Sequence, residues 1–176
     1  MKRILSILFT ITLTSCGGAD SNNSNSGSNP DPRINDVMVD LNDAEELWQS
    51  NGLVDYSFGY NFKLNQACSN SSSSATDEAP ALKVTVNDNE ITSITAVDTG
   101  IEWQAPSGDH FGTIDEIFAY LEAELEKSPQ VVAYSFSEKD QLPAFDENFG
   151  FPTRYYIEFN DASGCSSLEV AIFDFS

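Results

Sequence analysis

Residues 56–64 read Tyr56-Ser57-Phe58-Gly59-Tyr60-Asn61-Phe62-Lys63-Leu64. Large apolar residues, mostly aromatic, alternate here with small or polar ones. Successive side chains of a β-strand point to opposite faces of a sheet, so this period of two predicts a strand with its aromatic side buried. Other elements of the fold must cover that aromatic side, so the remaining sequence is read for them.

Further strands are predicted on both sides of this segment. Leu82, Val84 and Val86 alternate in the same way and lead through a polar turn at 87–89 into residues 91–97, which predicts a β-hairpin. Residues 131–136, 155–159 and 168–175 are predicted as three more strands, and a turn-rich stretch at 160–164 joins the last two. Strands that are joined by short turns pair antiparallel.

An amphipathic helix is predicted before the first strand. Asn42 and Asp43 are suited to cap its amino end, and Ala44, Leu47 and Trp48 then share one face at helical spacing. Gly52 supplies a left-handed stop at the carboxyl end of this helix.

A second helix is predicted between the hairpin and the last three strands. Thr113-Ile114-Asp115-Glu116 has the form of a capping box, in which Thr113 and Glu116 bond each other's backbone amides. The apolar positions that follow at helical spacing are Ile114, Ile117, Phe118, Leu121 and Leu125.

These elements occur in the order αβββαβββ. Both helices are amphipathic, so each covers a partner with one face only. The sequence therefore predicts an α+β fold, a two-layer sandwich in which two helices lie on one face of an antiparallel sheet. Residues 37–176 are long enough for one such domain with a single core.

The amino terminus has the features of an export signal. Lys2 and Arg3 precede a short apolar run at 4–13, which is shorter than the roughly 20 residues that a membrane-spanning helix needs. Leu13-Thr14-Ser15-Cys16 follows and resembles the lipobox of bacterial lipoproteins. That resemblance implies cleavage of residues 1–15 and attachment of fatty acyl chains, such as palmitate, at Cys16. The alternative is an ordinary secreted protein with an accidental cysteine.

The lipobox also implies where the protein resides. Gly17 follows Cys16, and by analogy the lack of an aspartate there favours the outer membrane as the place of the lipid anchor. Residues 16–36 are rich in Gly, Ser and Asn and cannot bury apolar surface, so they are predicted to be a disordered tether between lipid and domain.

The chain is strongly acidic. It has 8 basic and 28 acidic residues, a net charge of -20, and removal of Lys2 and Arg3 with the signal leaves six basic residues. Such a charge repels phosphates, and the remaining basic residues are scattered in sequence, so nucleic acid is excluded as a partner. A solvated, non-adhesive surface is the ordinary interpretation of the acidity, and weak affinity for divalent cations or cationic partners is the alternative.

Two cysteines remain beside the predicted lipid site. Cys68 and Cys165 would lie in an oxidising compartment after export, where paired cysteines are commoner than free ones. Neither has a nearby Cys or His, which excludes a CxxC redox pair and an ordinary zinc site. We therefore predict a structural disulfide between them, worth roughly 4–5 kcal/mol at most.

Several segments resemble one known family. They are Trp48, residues 51–58, the valine-rich hairpin, residues 113–118, and Phe149-Gly150-Phe151-Pro152-Thr153. This pattern is similar to small bacterial lipoproteins and secreted proteins that share a domain of unknown function, over residues 41–175. The resemblance implies export and carries over no catalytic residue. The chain departs from the family pattern at residues 137–145 and in the Ser/Asn-rich stretch after Cys68.

No catalytic motif stands out in the sequence. The single histidine, His110, follows Asp109 and could act as a general base, but it is more simply a loop residue before a helix. No GxSxG nucleophile elbow is present. The acidic residues are too numerous to nominate a hydrolytic pair.

Calcium and aromatic contacts remain as possible binding features. Three acidic groups offer oxygen ligands, although none matches a known calcium loop; they are Asp36, Asp40 and Asp43, then Asp88 and Glu90, then Asp146, Glu147 and Asn148. Tyr155 and Tyr156 must point to opposite sheet faces, so Tyr156 is a candidate for exposure, as is Trp103. These two aromatic residues are the predicted binding surface.

Three functions therefore stay open. The leading one is a non-enzymatic, membrane-anchored binding or interaction domain of the bacterial envelope that needs no cofactor and takes an envelope protein or a small ligand. The alternatives are a carboxylate-based envelope hydrolase and a calcium-dependent module.

Overall fold

A computed structural model describes residues 29–68, 80–161 and 165–176. The predicted signal peptide, Cys16, residues 17–28 of the predicted tether and the Ser/Asn-rich stretch that starts at residue 69 lie outside the described residues.

The described chain has an α+β fold built on one antiparallel sheet. In chain order the elements are α1 (Ile34–Asn51), β1 (Tyr56–Leu64), β2 (Leu82–Asn87), β3 (Glu90–Ala96), α2 (Ile114–Glu126), β4 (Val131–Ala133), β5 (Ala144–Phe145), β6 (Pro152–Glu158) and β7 (Ser167–Phe173). The strands form an open sheet of order β3-β2-β1-β7-β6-β4, and β5 pairs with β6 beside β4. The α+β class is as predicted, but four strands follow α2 where the sequence predicted three.

The predicted first strand lies at the centre of this sheet. β1 pairs with β2 on one side and with β7 on the other, so that Gly59 is opposite both Lys83 and Phe173. The β2–β3 hairpin is confirmed. Its turn residues Asp88 and Asn89 have φ of 52° and 61°, the left-handed values that a tight hairpin turn requires.

Helix α2 is confirmed in both its cap and its buried face. The Glu116 amide donates to the Thr113 hydroxyl at 3.3 Å, and the Thr113 amide donates to the Glu116 carboxylate at 2.7 Å. All five predicted apolar positions are buried, and they are Ile114, Ile117, Phe118, Leu121 and Leu125.

Helix α1 begins earlier than the predicted cap at Asn42 and Asp43. It starts at Ile34, and its buried residues are Val37, Leu41, Ala44 and Trp48. This apolar stripe extends one and a half turns before Asn42, so burying all of it requires the early start. The predicted tether–domain boundary at residue 37 therefore falls inside the helix, and Leu47 stays 36% exposed.

The aromatic side of β1 is the centre of the core. Tyr56, Phe58, Tyr60 and Phe62 are all buried. The Trp48 ring of α1 lies edge-on to Tyr56 at 5.2 Å, and the Ile114 amide of α2 donates to the Tyr56 hydroxyl at 3.1 Å.

The two helices are also bonded to each other, since the Trp48 indole donates to Asp115 at 3.1 Å. No described helix combines the length and the hydrophobicity needed to cross a membrane.

The side chains that alternate with the core form the other side of the sheet, which we call the open face. Its members on the five longer strands include Ser93 and Thr95 of β3, Lys83 and Thr85 of β2, Ser57, Gly59, Asn61 and Lys63 of β1, Ser167, Glu169, Ala171 and Phe173 of β7, and Arg154, Tyr156 and Glu158 of β6.

One edge of the sheet is closed by an ion pair at the start of the fold. Asp31 accepts from the Val132 amide at 2.9 Å, and Arg33 donates to the Val132 carbonyl at 2.9 Å. Asp31 and Arg33 also bind each other at 2.8 Å. These contacts, which we call the edge clip, satisfy the outward backbone groups of β4 that would otherwise invite pairing with another chain.

The opposite edge, at β3, is covered by the segment that follows it. The Trp103 amide donates to Ile94 at 2.9 Å, and the Ala96 amide donates to Ile101 at 2.9 Å. Both outer strands thus have backbone partners within the chain.

Candidate functional site

A groove runs across the middle of the open face. The two central strands carry small side chains there, Gly59 on β1 and Ala171 on β7, whereas the flanking strands carry the long Lys83 and Arg154. The Phe173 ring lies directly over Gly59, where any Cβ would overlap it. A glycine covered by a cross-strand aromatic ring is a known way to stabilise a sheet at this position. At this position of the open face the Phe173 ring takes the place of a side chain on Gly59.

Phe173 divides the groove into two concavities. The first has a volume of about 260 Å³ and is lined by Gly59, Lys83, Thr95, Ala96, Val97, Gly100, Phe173 and Asp174. The second has a volume of about 280 Å³ and is lined by Asn61, Phe62, Lys63, Arg154, Glu169, Ala171 and Phe173. Each concavity therefore combines an aromatic wall with at least one basic side chain.

The register gathers most of the basic residues of the domain on this face. Lys63, Lys83 and Arg154 are members of the open face, and Lys139 lies above it, 5.4 Å from the Tyr156 ring centre. They are four of the six basic residues that the predicted mature chain retains. Within the described part of the chain Lys83 has no ion-pair partner.

The two other basic residues lie elsewhere and are each bound to a carboxylate. Arg33 belongs to the edge clip, and Lys127 of the α2 carboxyl end pairs with Glu124 at 2.8 Å. The basic residues are scattered along the sequence but not in the folded protein, because strand pairing brings distant lysines and arginines to one surface. No signal in a single sequence reveals that pairing.

Arg154 has hydrogen-bond partners for only part of its guanidinium group. Its guanidinium donates to Glu169 at 2.7 Å and lies 5.2 Å from the Tyr134 ring centre. Its Nε is buried and has no hydrogen-bond partner among the described residues, and the same holds for Asn61 Oδ1. Both residues line the second concavity, and these two atoms are shielded from solvent in its wall.

Glu169 holds the floor of the second concavity in place. It accepts from the Phe136 amide at 2.9 Å, from Gln66 at 3.1 Å and from Arg154 at 2.7 Å. Burial alone would raise the pKa of Glu169, but these donors outweigh it and lower the pKa below the ordinary value. Glu169 is therefore an ionised anchor.

The disulfide predicted between Cys68 and Cys165 is confirmed. It joins the segment after β1 to the segment before β7, close to Gln66 and Glu169. It thus ties down the end of the groove where these two central strands meet.

Tyr156 is not exposed, contrary to the prediction. Strand alternation does place it on the open face, but the segment after β4 folds over it. The Phe136 ring lies edge-on at 5.7 Å, Lys139 lies above the ring, and the hydroxyl donates to Glu158 at 2.8 Å. Its side chain is 0% exposed, so it cannot belong to a binding surface.

Trp103 is exposed, as predicted, with 46% of its surface accessible. It lies outside the β3 edge, opposite Ile94, whereas Tyr156 lies in β6 near the other edge. The structure therefore does not bring together the two residues of the predicted binding surface.

His110 lies in the turn before α2, as predicted, and its side chain is buried. Its ring lies 4.9 Å from Phe62, and its carbonyl accepts from the Tyr60 hydroxyl at 2.7 Å. Its Nε2 has no hydrogen-bond partner among the described residues. Burial lowers the pKa of His110, while Asp109 acts in the opposite direction.

The predicted acidic groups do not assemble a metal site. Asp36, Asp40 and Asp43 lie exposed along α1, whereas Asp88 lies in the hairpin turn and Glu90 begins β3. Among residues 29–68, 80–161 and 165–176, no three acidic, histidine or cysteine side chains are grouped so that they could hold an ion.

The third acidic group has a structural partner. Asp146 accepts from the amides of Asn148 and Phe149, at 2.9 and 2.8 Å. This carboxylate stabilises its own turn.

Comparison with curated proteins finds no match, and comparison with solved structures finds none either. A family model does match residues 40–163, which run from within α1 to the segment after β6. The match includes Lys63, Lys83 and Arg154 of the groove, while Glu169 and Phe173 follow it. By this match the chain belongs to the DUF6174 family, a family of unknown function.

Proposed function

We propose that this protein is a lipid-anchored, non-enzymatic binding domain of the bacterial envelope, and that its ligand occupies the groove of the open face. The observation that carries the proposal is the concentration of basic side chains around two concavities on one side of an otherwise acidic molecule. We further infer that both helices cover the Tyr56 side of the sheet, which leaves the open face to the ligand.

The charge state of the carboxyl groups favours binding over hydrolysis. A carboxylate-based hydrolase needs one acid whose pKa is raised, so that it can donate a proton at neutral pH. Among the described residues Asp31 and Glu169 are the buried carboxyl groups, and both have lowered pKa values because they accept several hydrogen bonds. They act as fixed anions that hold structure.

The anchor rests on the resemblance of residues 13–16 to a lipobox. Diacylated Cys16 would hold the protein stably at a membrane, since two acyl chains suffice where one is marginal. Fractionation of envelopes should place the wild-type protein in the outer membrane, and Cys16→Ala should release it or leave its signal uncut. Recovery of the wild type in the soluble periplasmic fraction would overturn the anchor.

Site-specific photo-crosslinking tests the binding function. A photoreactive residue at Thr95, in the groove, is compared with one at Ala119, which is exposed on α2. Irradiation of intact cells should give a discrete adduct from position 95 and none from position 119. Equal adducts at both positions, or no adduct at position 95, would contradict a ligand in the groove.

A further inference from the structure

The geometry points to a short acidic oligosaccharide of the uronic acid type as the ligand of the groove. This inference rests on the proposed binding function and names the chemical class of its ligand. Three features carry it: basic side chains on both sides of an aromatic ring, polar side chains beside that ring, and the acidity of the surrounding surface.

The basic side chains are spaced for a ligand with more than one carboxylate. Lys83 lines the first concavity, and Arg154 and Lys63 line the second. Lys83 and Arg154 belong to strands three places apart in the sheet, which is about 14 Å at the usual strand spacing. A di- or trisaccharide with carboxylates on successive units spans such a distance.

The centre of the groove suits a sugar ring. Phe173 lines both concavities, so its ring is accessible from either side, and the flat C–H face of a pyranose packs well on an aromatic ring. Next to it, Asn61 and Arg154 line the second concavity, and their amide and guanidinium groups suit the hydroxyls and ring substituents of a sugar.

The acidic remainder of the molecule limits the length of the ligand. At physiological ionic strength charges interact over about 8 Å, so the groove can attract an anion locally although the whole protein repels it at a distance. A long polyanion would extend beyond the groove onto acidic surface. A short one stays among the basic residues.

An acidic peptide fits less well. Peptides commonly add to the edge of a sheet through backbone hydrogen bonds. The edge clip and the segment at 101–103 already occupy outward backbone groups at both edges, those of Val132, Ile94 and Ala96. This favours recognition by side chains on the face, where a ring flanked by basic groups suits the saccharide.

Isothermal titration of the full-length lipidated protein in detergent micelles tests this assignment. The probes are trigalacturonate, a neutral galactose trisaccharide and triglutamate. Trigalacturonate should bind, more weakly as salt is raised, and at least about tenfold more tightly than either other probe. Equal affinity for the neutral sugar, or for triglutamate, would overturn the assignment.

Matched variants locate the site. Lys83→Gln should weaken trigalacturonate binding about tenfold, whereas Lys127→Gln, which removes the same charge from the end of α2, should leave it unchanged. Phe173→Leu should weaken binding of the sugar as well. Lys83 is exposed and has no ion-pair partner among the described residues, so its replacement leaves the fold intact, which a thermal melt verifies.

The crosslinking experiment separates failure of the ligand class from failure of the binding function. A position-95 adduct together with no binding of trigalacturonate would overturn the saccharide and leave the binding function standing. Absence of both would overturn both. Equal weakening by Lys83→Gln and Lys127→Gln would show non-specific attraction and would also overturn the site.

Discussion

Asp31 is a carboxylate that stays ionised although its side chain is almost completely buried. Burial alone would raise its pKa, but the bonds from Arg33 and the Val132 amide outweigh burial and lower the pKa from 3.8 to about 2. A group whose pKa is lower in the folded state stabilises the fold above its ordinary pKa. That stabilisation is lost as the pH falls through about 2.

Replacement of Asp31 tests this balance. Asp31→Asn should lower the free energy of unfolding at pH 7 by about 2–4 kcal/mol, because Arg33 loses its partner in a buried setting. Urea unfolding at pH 7 and at pH 3 measures it, and the difference between variant and wild type should shrink at the lower pH. The exposed Asp43→Asn is the control, and an equal loss there would contradict the role of the edge clip.

His110 should make stability depend on pH near neutrality. Burial lowers its pKa, so the folded state resists protonation, and stability should fall as the pH drops below the ordinary value of 6.5. It is the single histidine in the chain. His110→Gln should flatten the change in the free energy of unfolding between about pH 7.5 and pH 5.5, measured by urea titration. An unchanged slope in the variant would contradict this assignment.

At the scale of elements, the helices and strands that could be predicted are those whose bounds depend on neighbouring residues in the sequence alone. β1 and α2 were predictable because each has a clear hydrophobic period and a clear signal before it. A capping box precedes α2, and a left-handed glycine, Gly52, precedes β1. The start of α1 was not predictable from caps, because its amino end has no side-chain cap and Asp31 bonds to β4. The stripe from Val37 to Trp48 was the signal that should have outweighed Asn42.

Gly150 fixes the contact between the β6 side of the sheet and α1. Its φ is +87°, and a Cβ there would overlap the Ala44 carbonyl and lie 2.9 Å from the Trp48 amide. The backbone of α1 cannot shift to make room for a Cβ without also moving the core residue Trp48. Gly150→Ala should therefore lower the free energy of unfolding by about 3 kcal/mol or more, measured by chemical denaturation.

Gly52 provides the matched control for this substitution. Its φ is also positive, +60°, but nothing lies within 4 Å of the Cβ position. Gly52→Ala should cost only the backbone strain, about 1 kcal/mol. Equal losses in the two variants would show that strain, and not the close approach to α1, determines the effect at Gly150.

At the scale of the whole molecule, the pairing of distant strands determines the groove. Gly59, Lys83, Arg154 and Phe173 lie far apart in sequence, and each alone looks ordinary. They become neighbours only through the order of the strands, which requires β7 to insert between β1 and β6. Alternation predicts which face each residue occupies, but register across the sheet is set by tertiary packing, so the groove was not predictable.

The disulfide constrains the whole domain, since its cysteines are separated by 97 residues. The Cys68→Ala, Cys165→Ala double variant should lose about 2–4 kcal/mol of unfolding free energy, because closing a long loop reduces the entropy of the unfolded chain. Guanidinium unfolding with and without reductant measures this, with intact mass to verify the bond. Reductant should not affect the double variant, and an equal effect on both proteins would contradict the assignment.

The two tryptophans give the protein a built-in pair of optical probes. Trp48 is 2% exposed in the aromatic core, and Trp103 is 46% exposed beside β3. Their fluorescence should therefore separate, with blue-shifted, unquenched emission from Trp48 and red-shifted, acrylamide-quenchable emission from Trp103. Loosening of the β3 edge would change only the quenchable component, whereas global unfolding would merge the two, so one spectrum distinguishes local from complete opening.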